Sequence, residues 1–352
     1  MENNQPYVRV VGNAPEEQKE QARERVRKAL SDSKSVFPEK IKKQLAELEY
    51  PKSEEELQVI DFVNNTIKSE LEDCGVKKQD IPDIPAENYH IIPPELYVKL
   101  NDQGSNAAAF IDKQMMIFRA DVVRANPFFF GSLAFHERGH IASSLKFEVN
   151  RSSMPDEFYA SRYREGWSMR ASQKSKKEGN SHSHFDGVHE ALMTMLQKKM
   201  TPRLFELPMF SREKKFRESD EGKRAMKEIS ERYKVPEDEI IWFNPENTRE
   251  GDFYSFQKQR QTLGYVFSEI HEQFPGKSVE EIYKDFLNAH STGRFMSIAH
   301  LVEDTFGKRS FRLLGSMGTD PNSAVMTLEI LKIARLDFLK EQDSGTETDL
   351  TK

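Results

Sequence analysis

An internal disulfide is excluded at once, because the chain carries a single cysteine, Cys74. A lone thiol fits a reducing compartment and leaves folding to packing alone. Long apolar runs are missing as well. No window approaches the roughly 18 uninterrupted apolar residues of a membrane-spanning helix. The N-terminus, MENNQPYVRVVGNAPEEQ, has no apolar stretch of the secretory-signal type. These absences lead to the expectation of a cytoplasmic protein with no membrane partner. An excess of positive charge is lacking too: 52 Lys and Arg stand against 58 Asp and Glu, a net charge of −6. That gives no basis for a nucleic-acid partner. The clusters Lys174-Ser175-Lys176-Lys177 and Lys198-Lys199 read as solvated faces.

What is present is a highly charged chain with apolar content enough for a core: 31% charged, 37% hydrophobic, mean hydropathy −0.73. Its 352 residues suit one large domain, or a catalytic unit with flanking helical pieces.

One stretch organises the rest, NPFFFGSLAFHERGHIASSLKF, which contains His136-Glu137-Arg138-Gly139-His140. Two imidazoles at i and i+4 of a helix point the same way, one turn apart, so both can bind one Zn²⁺ ion. The intervening Glu137 then stands beside the open position and can take a proton from a water that the metal has acidified. The context supports a buried helix. Asn126 is placed to cap it and Pro127 to open it. Phe, Leu, Ala and Ile dominate the stretch after them, and two His and a Glu in such surroundings need a partner.

Along the chain, residues 1–13 read as a flexible leader and 14–81 as a helical region, with helices at 15–33, 37–49 and 53–74. Ser53 followed by Glu56 forms a capping-box pattern at the start of the third. Residues 82–205 are expected to form the catalytic core. Within it, 97–100, 107–111 and 115–119 read as strands, the last two joined through Asp112-Lys113-Gln114. Residues 206–250 read as a charged insertion or lid, 251–340 as a C-terminal helical subdomain, and 341–352 as a disordered tail. The class is α+β and mostly α-helical, with a small antiparallel sheet beside the HERGH helix. An edge strand of that sheet, through Ala108 and Phe110, is placed to pair with an extended peptide.

A hydrolytic zinc needs three protein ligands and one open site. After the HERGH helix the candidates for the third are His182, His184, Asp186, His189 and Glu190. Glu190 lies in an apolar helical segment, and Asp186, one turn earlier, is an alternative ligand or an acceptor that orients a ligand His. Tyr254 is the candidate donor to a tetrahedral oxyanion, with Tyr163, Tyr265, His184 and Arg164 competing. Arg164 and His184 are also candidate substrate contacts. His90, His271, His290 and His300 show no partner pattern.

The pair His136-Glu137-Arg138-Gly139-His140 and Gly187-Val188-His189-Glu190-Ala191 resembles the two signatures of gluzincin-type HExxH metallopeptidases. The wording is similar to that of the angiotensin-converting-enzyme-like and Taq-carboxypeptidase-like families. The resemblance implies a zincin-like core, one Zn²⁺ per chain on His136, His140 and Glu190, Glu137 as catalytic base, and a peptide or protein substrate. Glu190 lies fifty positions after His140, longer than is usual in those relatives. That implies an inserted strand or loop, as in the more distant anthrax lethal factor type. Four residues after Glu190, where the relatives carry an acid that orients a ligand His, stands Thr194, so Asp186 is expected to take that role. Two alternatives stay open: a catalytically silent scaffold of the same shape that binds a protein partner, and a zinc hydrolase or toxin-like effector with a different substrate.

Overall fold

The computed structural model describes residues 8–31, 39–101, 104–151, 158–170, 183–244 and 247–347. Val8–Val11 is a strand (β1), where the sequence suggests loose leader; its alternating Val side chains let it pair in parallel with 145–148. Three helices come next: α1 (Glu16–Ser31), α2 (Glu39–Leu48) and α3 (Glu54–Asp73). The expected capping box is formed, with Ser53 and the Glu56 carboxylate each accepting the other's backbone N–H. Strand β2 (Tyr89–Ile92) is not apparent in the sequence, since four residues before a Pro-Pro pair give little periodicity.

Residues 97–100 are not a strand. Pro94 pre-sets the first turn of a short helix, α4 (Pro94–Leu100), which turns Leu96 and Tyr97 inward against Ile92, Met115 and Ile117. Next come β3 (Ala107–Phe110), a turn with Gln114 in the left-handed region, and β4 (Met115–Arg119). The sheet order is β2-β4-β3, with β2 parallel and β3 antiparallel to β4. The sheet is therefore mixed rather than antiparallel, and β3 is an edge.

After α5 (Ala120–Ala125), Asn126 caps the HERGH helix α6 (Pro127–Ile141) by accepting the Phe129 N–H at 3.0 Å. The helix is apolar on nearly every side and runs through the core. Three antiparallel strands come after it, β5 (Leu145–Arg151), β6 (Phe158–Glu165) and the short β7 (Ser168–Met169), giving a sheet of order β1-β5-β6-β7. Buried Trp167 pins it to the core, stacking on Phe295 at 4.3 Å and donating its indole N–H to the Phe286 carbonyl.

Helix α7 (Asp186–Met200) lies against α6. Residues 206–250 hold α8 (Ser211–Glu218), α9 (Asp220–Tyr233), strand β8 (Ile240–Asn244) and most of β9 (Asn247–Phe253), with a small core of Ala225, Ile229, Ile240 and Phe243. Five helices complete the order: α10 (Gln257–Gln273), α11 (Val279–Thr292), α12 (Met296–Phe306), α13 (Ser310–Gly315) and α14 (Pro321–Glu347). The last of these continues through 341–347, where the composition suggests tail. The main core draws on residues from Val10 to Leu331. Class α+β with mostly helical content is thus what the chain adopts. Among the described residues, no helix is long and apolar enough to cross a membrane.

Candidate metal centre

Two helices bring the chemistry together. On α6, His136 and His140 stand one turn apart with their Nε2 atoms 3.0 Å from each other. From α7, Oε2 of Glu190 comes to 3.4 Å from Nε2 of His136 and 3.5 Å from Nε2 of His140. A tetrahedral ion with ligands at about 2.0–2.1 Å has ligand-to-ligand edges of about 3.3–3.4 Å. The two carboxylate spacings match those edges and the imidazole pair is about 0.3 Å shorter, so the trio could hold a small divalent ion. Among the described residues it is the group of His, Cys, Asp and Glu side chains arranged in this way.

Close packing makes the convergence possible. A Cβ on Gly139 would lie 2.8 Å from the Met193 sulfur and 3.0 Å from Leu196 Cδ2, both on α7. The second glycine, Gly187, has its Cα against the Gly318 carbonyl, and its N–H donates to the Met317 carbonyl at 2.9 Å. The loop between α13 and α14 thereby fixes the start of α7, and Glu190 with it.

Charge is set by the same geometry. Burial alone would lower the His140 pKa, but Glu190 and Glu137 outweigh it and raise the imidazole to about 9. Glu190 moves the opposite way, well below the usual carboxylate range, because His140 and His136 outweigh its burial. Without an ion the site is a protonated imidazole against a carboxylate, and a cation must displace that proton. Burial raises Glu137, whose carboxylate accepts the backbone N–H of Ala109 on β3.

The trio opens into a cleft of about 1030 Å³. Ala107, Ala108 and Ala109 of β3 line one wall, and Ile241 of β8 with Asp252 and Phe253 of β9 line another. Since Ala109 turns its N–H away from β4 towards Glu137, Ala107 does the same two residues earlier. Asn106 points its carbonyl the other way, to Arg119 N–H. The edge of β3 thus offers outward backbone groups beside the trio.

Other candidate residues fall outside this arrangement. Tyr254 is buried with its hydroxyl on Thr201 and near Arg217, turned from the cleft that its neighbours line. Arg164 stacks on Phe295 at 4.4 Å and donates to the Gly293 carbonyl, which makes it a clamp between β6 and the end of α11. Phe110 packs in the side cluster under α4, and exposed His184 forms a backbone bridge with Met169 without lining the cleft. Thr194 is buried and bonds back to the Glu190 carbonyl within its own helix. Asp186 does reach the rim, but it accepts hydroxyls from Ser168 at 2.6 Å and from Ser183, not a ligand imidazole. Tyr163 lies under Lys146 and Tyr265 against Phe306. His182 is outside the described residues.

The orienting role goes to a residue that the sequence offers only as a ligand. Nε2 of His189 stands 2.8 Å from Nδ1 of His140. Burial and then the neighbouring His140 and His290 hold His189 well below the usual histidine range, so it stays neutral and able to accept. Its adjacency to Glu190 is the only sequence signal. His290, without a pattern in the sequence, lies with its ring centre 5.1 Å from that of His189, tilted against it, and contacts Ser143 Oγ at 2.9 Å.

Compared with protein-family models, curated proteins and solved structures, the chain gives no match.

Proposed function

We propose that the chain is a zinc-dependent metallopeptidase, that α6, α7 and the β2-β4-β3 sheet make up a zincin-like core, and that its substrate is a peptide or protein. What carries this reading is the convergence of two imidazole nitrogens and one carboxylate oxygen at tetrahedral spacing beside a fourth group, Glu137, that is not needed for binding. Two His and one Glu form a donor set used by hydrolytic zinc, which leaves one position open.

Zinc held there would supply a Lewis acid that polarises the scissile carbonyl and acidifies water. The chain's own residues do the remaining work. Glu137, buried and held by the Ala109 N–H, takes the proton from the attacking water and passes it to the leaving amine. The outward N–H and carbonyl of Ala107 and the carbonyl of Ala109 can pair with an extended substrate and lay the scissile bond across the trio. A scaffold that only binds a partner has no use for a base at that place.

The test compares wild type with Glu137→Gln after zinc loading. Both should retain close to one zinc per chain by elemental analysis, and only wild type should cleave unfolded casein or a mixed peptide library. Hydrolysis persisting in Glu137→Gln would refute the assigned base. A zinc-loaded wild type that cleaves nothing would favour the silent scaffold.

A further inference from the structure

The cleft has an end that the chemistry at the trio leaves unused. Helices α6 and α7 run antiparallel, with His140 against His189 at one level and Ser132 against Gln197 at another. Leu133 and Phe129 stand one and two turns before Glu137 on α6. On α7, Gln197 stands two turns after Glu190, about 10 Å further along the helix. With Ile241 of β8 these three line the cleft, and of the four only Gln197 is polar.

Its amide is held one way round. Gln197 is 4% exposed. Thr201 Oγ1 donates its proton to the Gln197 backbone carbonyl at 2.8 Å, so at their 2.9 Å contact Ser132 Oγ donates to Thr201. Ser132 is left to accept, which it does from Gln197 Nε2 at 3.0 Å. Turned over, the amide would claim the Ser132 proton and leave the contact with Thr201 without one. Nε2 is therefore committed to the core, and Oε1, with no partner among the described residues, is the amide atom left to the cleft.

A fixed acceptor among apolar walls selects a side chain with an apolar body and a donor at its tip. A phenyl or aliphatic group would shut the oxygen off from water and leave it unpaired. An ammonium would exchange its hydration for one neutral oxygen. A phenol lays its ring on Phe129, Leu133 and Ile241 and gives its O–H to the amide. We propose that this end of the cleft is a tyrosine subsite, in which Gln197 Oε1 accepts the phenol O–H of a substrate residue beside the scissile bond. The place of cleavage rests on the peptidase reading; the binding of the side chain does not.

Three pools of degenerate hexapeptides, alike except for Tyr, Phe or Lys fixed at the third position, test this on the zinc-loaded full chain. Wild type should cleave the Tyr pool with an apparent kcat/KM about 10- to 100-fold above the other two, next to the tyrosine. Gln197→Met keeps the length of the side chain without the acceptor and should bring the Tyr pool down to the level of the Phe pool. Equal slowing of both pools, which a packing role produces, would leave their ratio and overturn the subsite. In the Glu137→Gln variant, mass spectrometry of retained peptides should show the same preference for Tyr over Phe. If wild type cleaves no pool and Glu137→Gln still retains Tyr peptides selectively, the peptidase reading fails and the subsite stands. Cleavage that ignores tyrosine or favours lysine, or no selective retention, overturns the subsite.

Discussion

The 2.8 Å contact between Nδ1 of His140 and Nε2 of His189 joins the HERGH helix to the helix that carries Glu190. Nε2 of His140 faces Glu190 and His136, so in the proposed zinc site its Nδ1 keeps the proton and donates a hydrogen bond to His189. One residue thus fixes the tautomer of one ligand while its neighbour in sequence supplies another. Outer partners of this kind are worth about 10- to 100-fold in metal affinity. His189→Ala should therefore lower zinc retention by that amount in a chelator competition, and His189→Gln, which restores an acceptor, should recover part of it. Asp186→Asn should leave retention unchanged, as its oxygens serve Ser168 and Ser183. Equal losses in His189→Ala and Asp186→Asn would contradict the assignment.

Tyr254 tests the orientation of the cleft wall. Its hydroxyl is spent on Thr201 and lies away from the trio. Tyr254→Phe should keep kcat on any cleaved peptide within about twofold of wild type, while losing about 1 kcal/mol of stability with the hydrogen bond. A kcat drop of a hundredfold would return the tyrosine to the chemistry.

Gly139 sets the distance between α6 and α7. An added methyl would press on Met193 and Leu196, and overpacking of this kind costs about 1–3 kcal/mol. Gly139→Ala should be destabilised by that amount in urea unfolding and should hold zinc less tightly, because Glu190 moves with α7. Gly264, within α10, has open space around it. Gly264→Ala should instead stabilise by up to about 1 kcal/mol. If both substitutions act alike, helix propensity rather than the helix gap governs Gly139.

His290 gives the fold a pH dependence of definite sign. It is fully buried, and burial followed by the charge on His140 pushes its pKa down to about 3. The unfolded chain takes up the same proton at about pH 6.5. Stability is therefore whole above that value and declines as pH falls towards 3, by at most about 1.4 kcal/mol per pH unit for this group. His290→Asn should flatten the slope of unfolding free energy between pH 6 and about 4. An unchanged slope would assign the acid sensitivity elsewhere.

Local chemistry is legible residue by residue. Asn126 and Pro127 announce the start of α6, Ser53 and Glu56 that of α3, and the i, i+4 spacing of His136 and His140 fixes their common face. Each of these depends on neighbours within one helical turn, so the order of residues is sufficient. Pro94 carries the same start signal as Pro127, yet the short run after it alternates like a strand, and only its packing under β4 shows it to be α4.

Long-range matters were settled by folding alone. Whether Asp186 or Glu190 reached the imidazoles, whether Tyr254 faced the cleft, and whether Arg164 met substrate or Phe295 all depend on how separate elements dock. The strand at Val8–Val11 and the parallel place of β2 likewise need partners more than twenty residues away. Periodicity tells which face of an element is apolar but not which surface will cover it, and the pairing of His189 with His140 arises only once α6 and α7 touch.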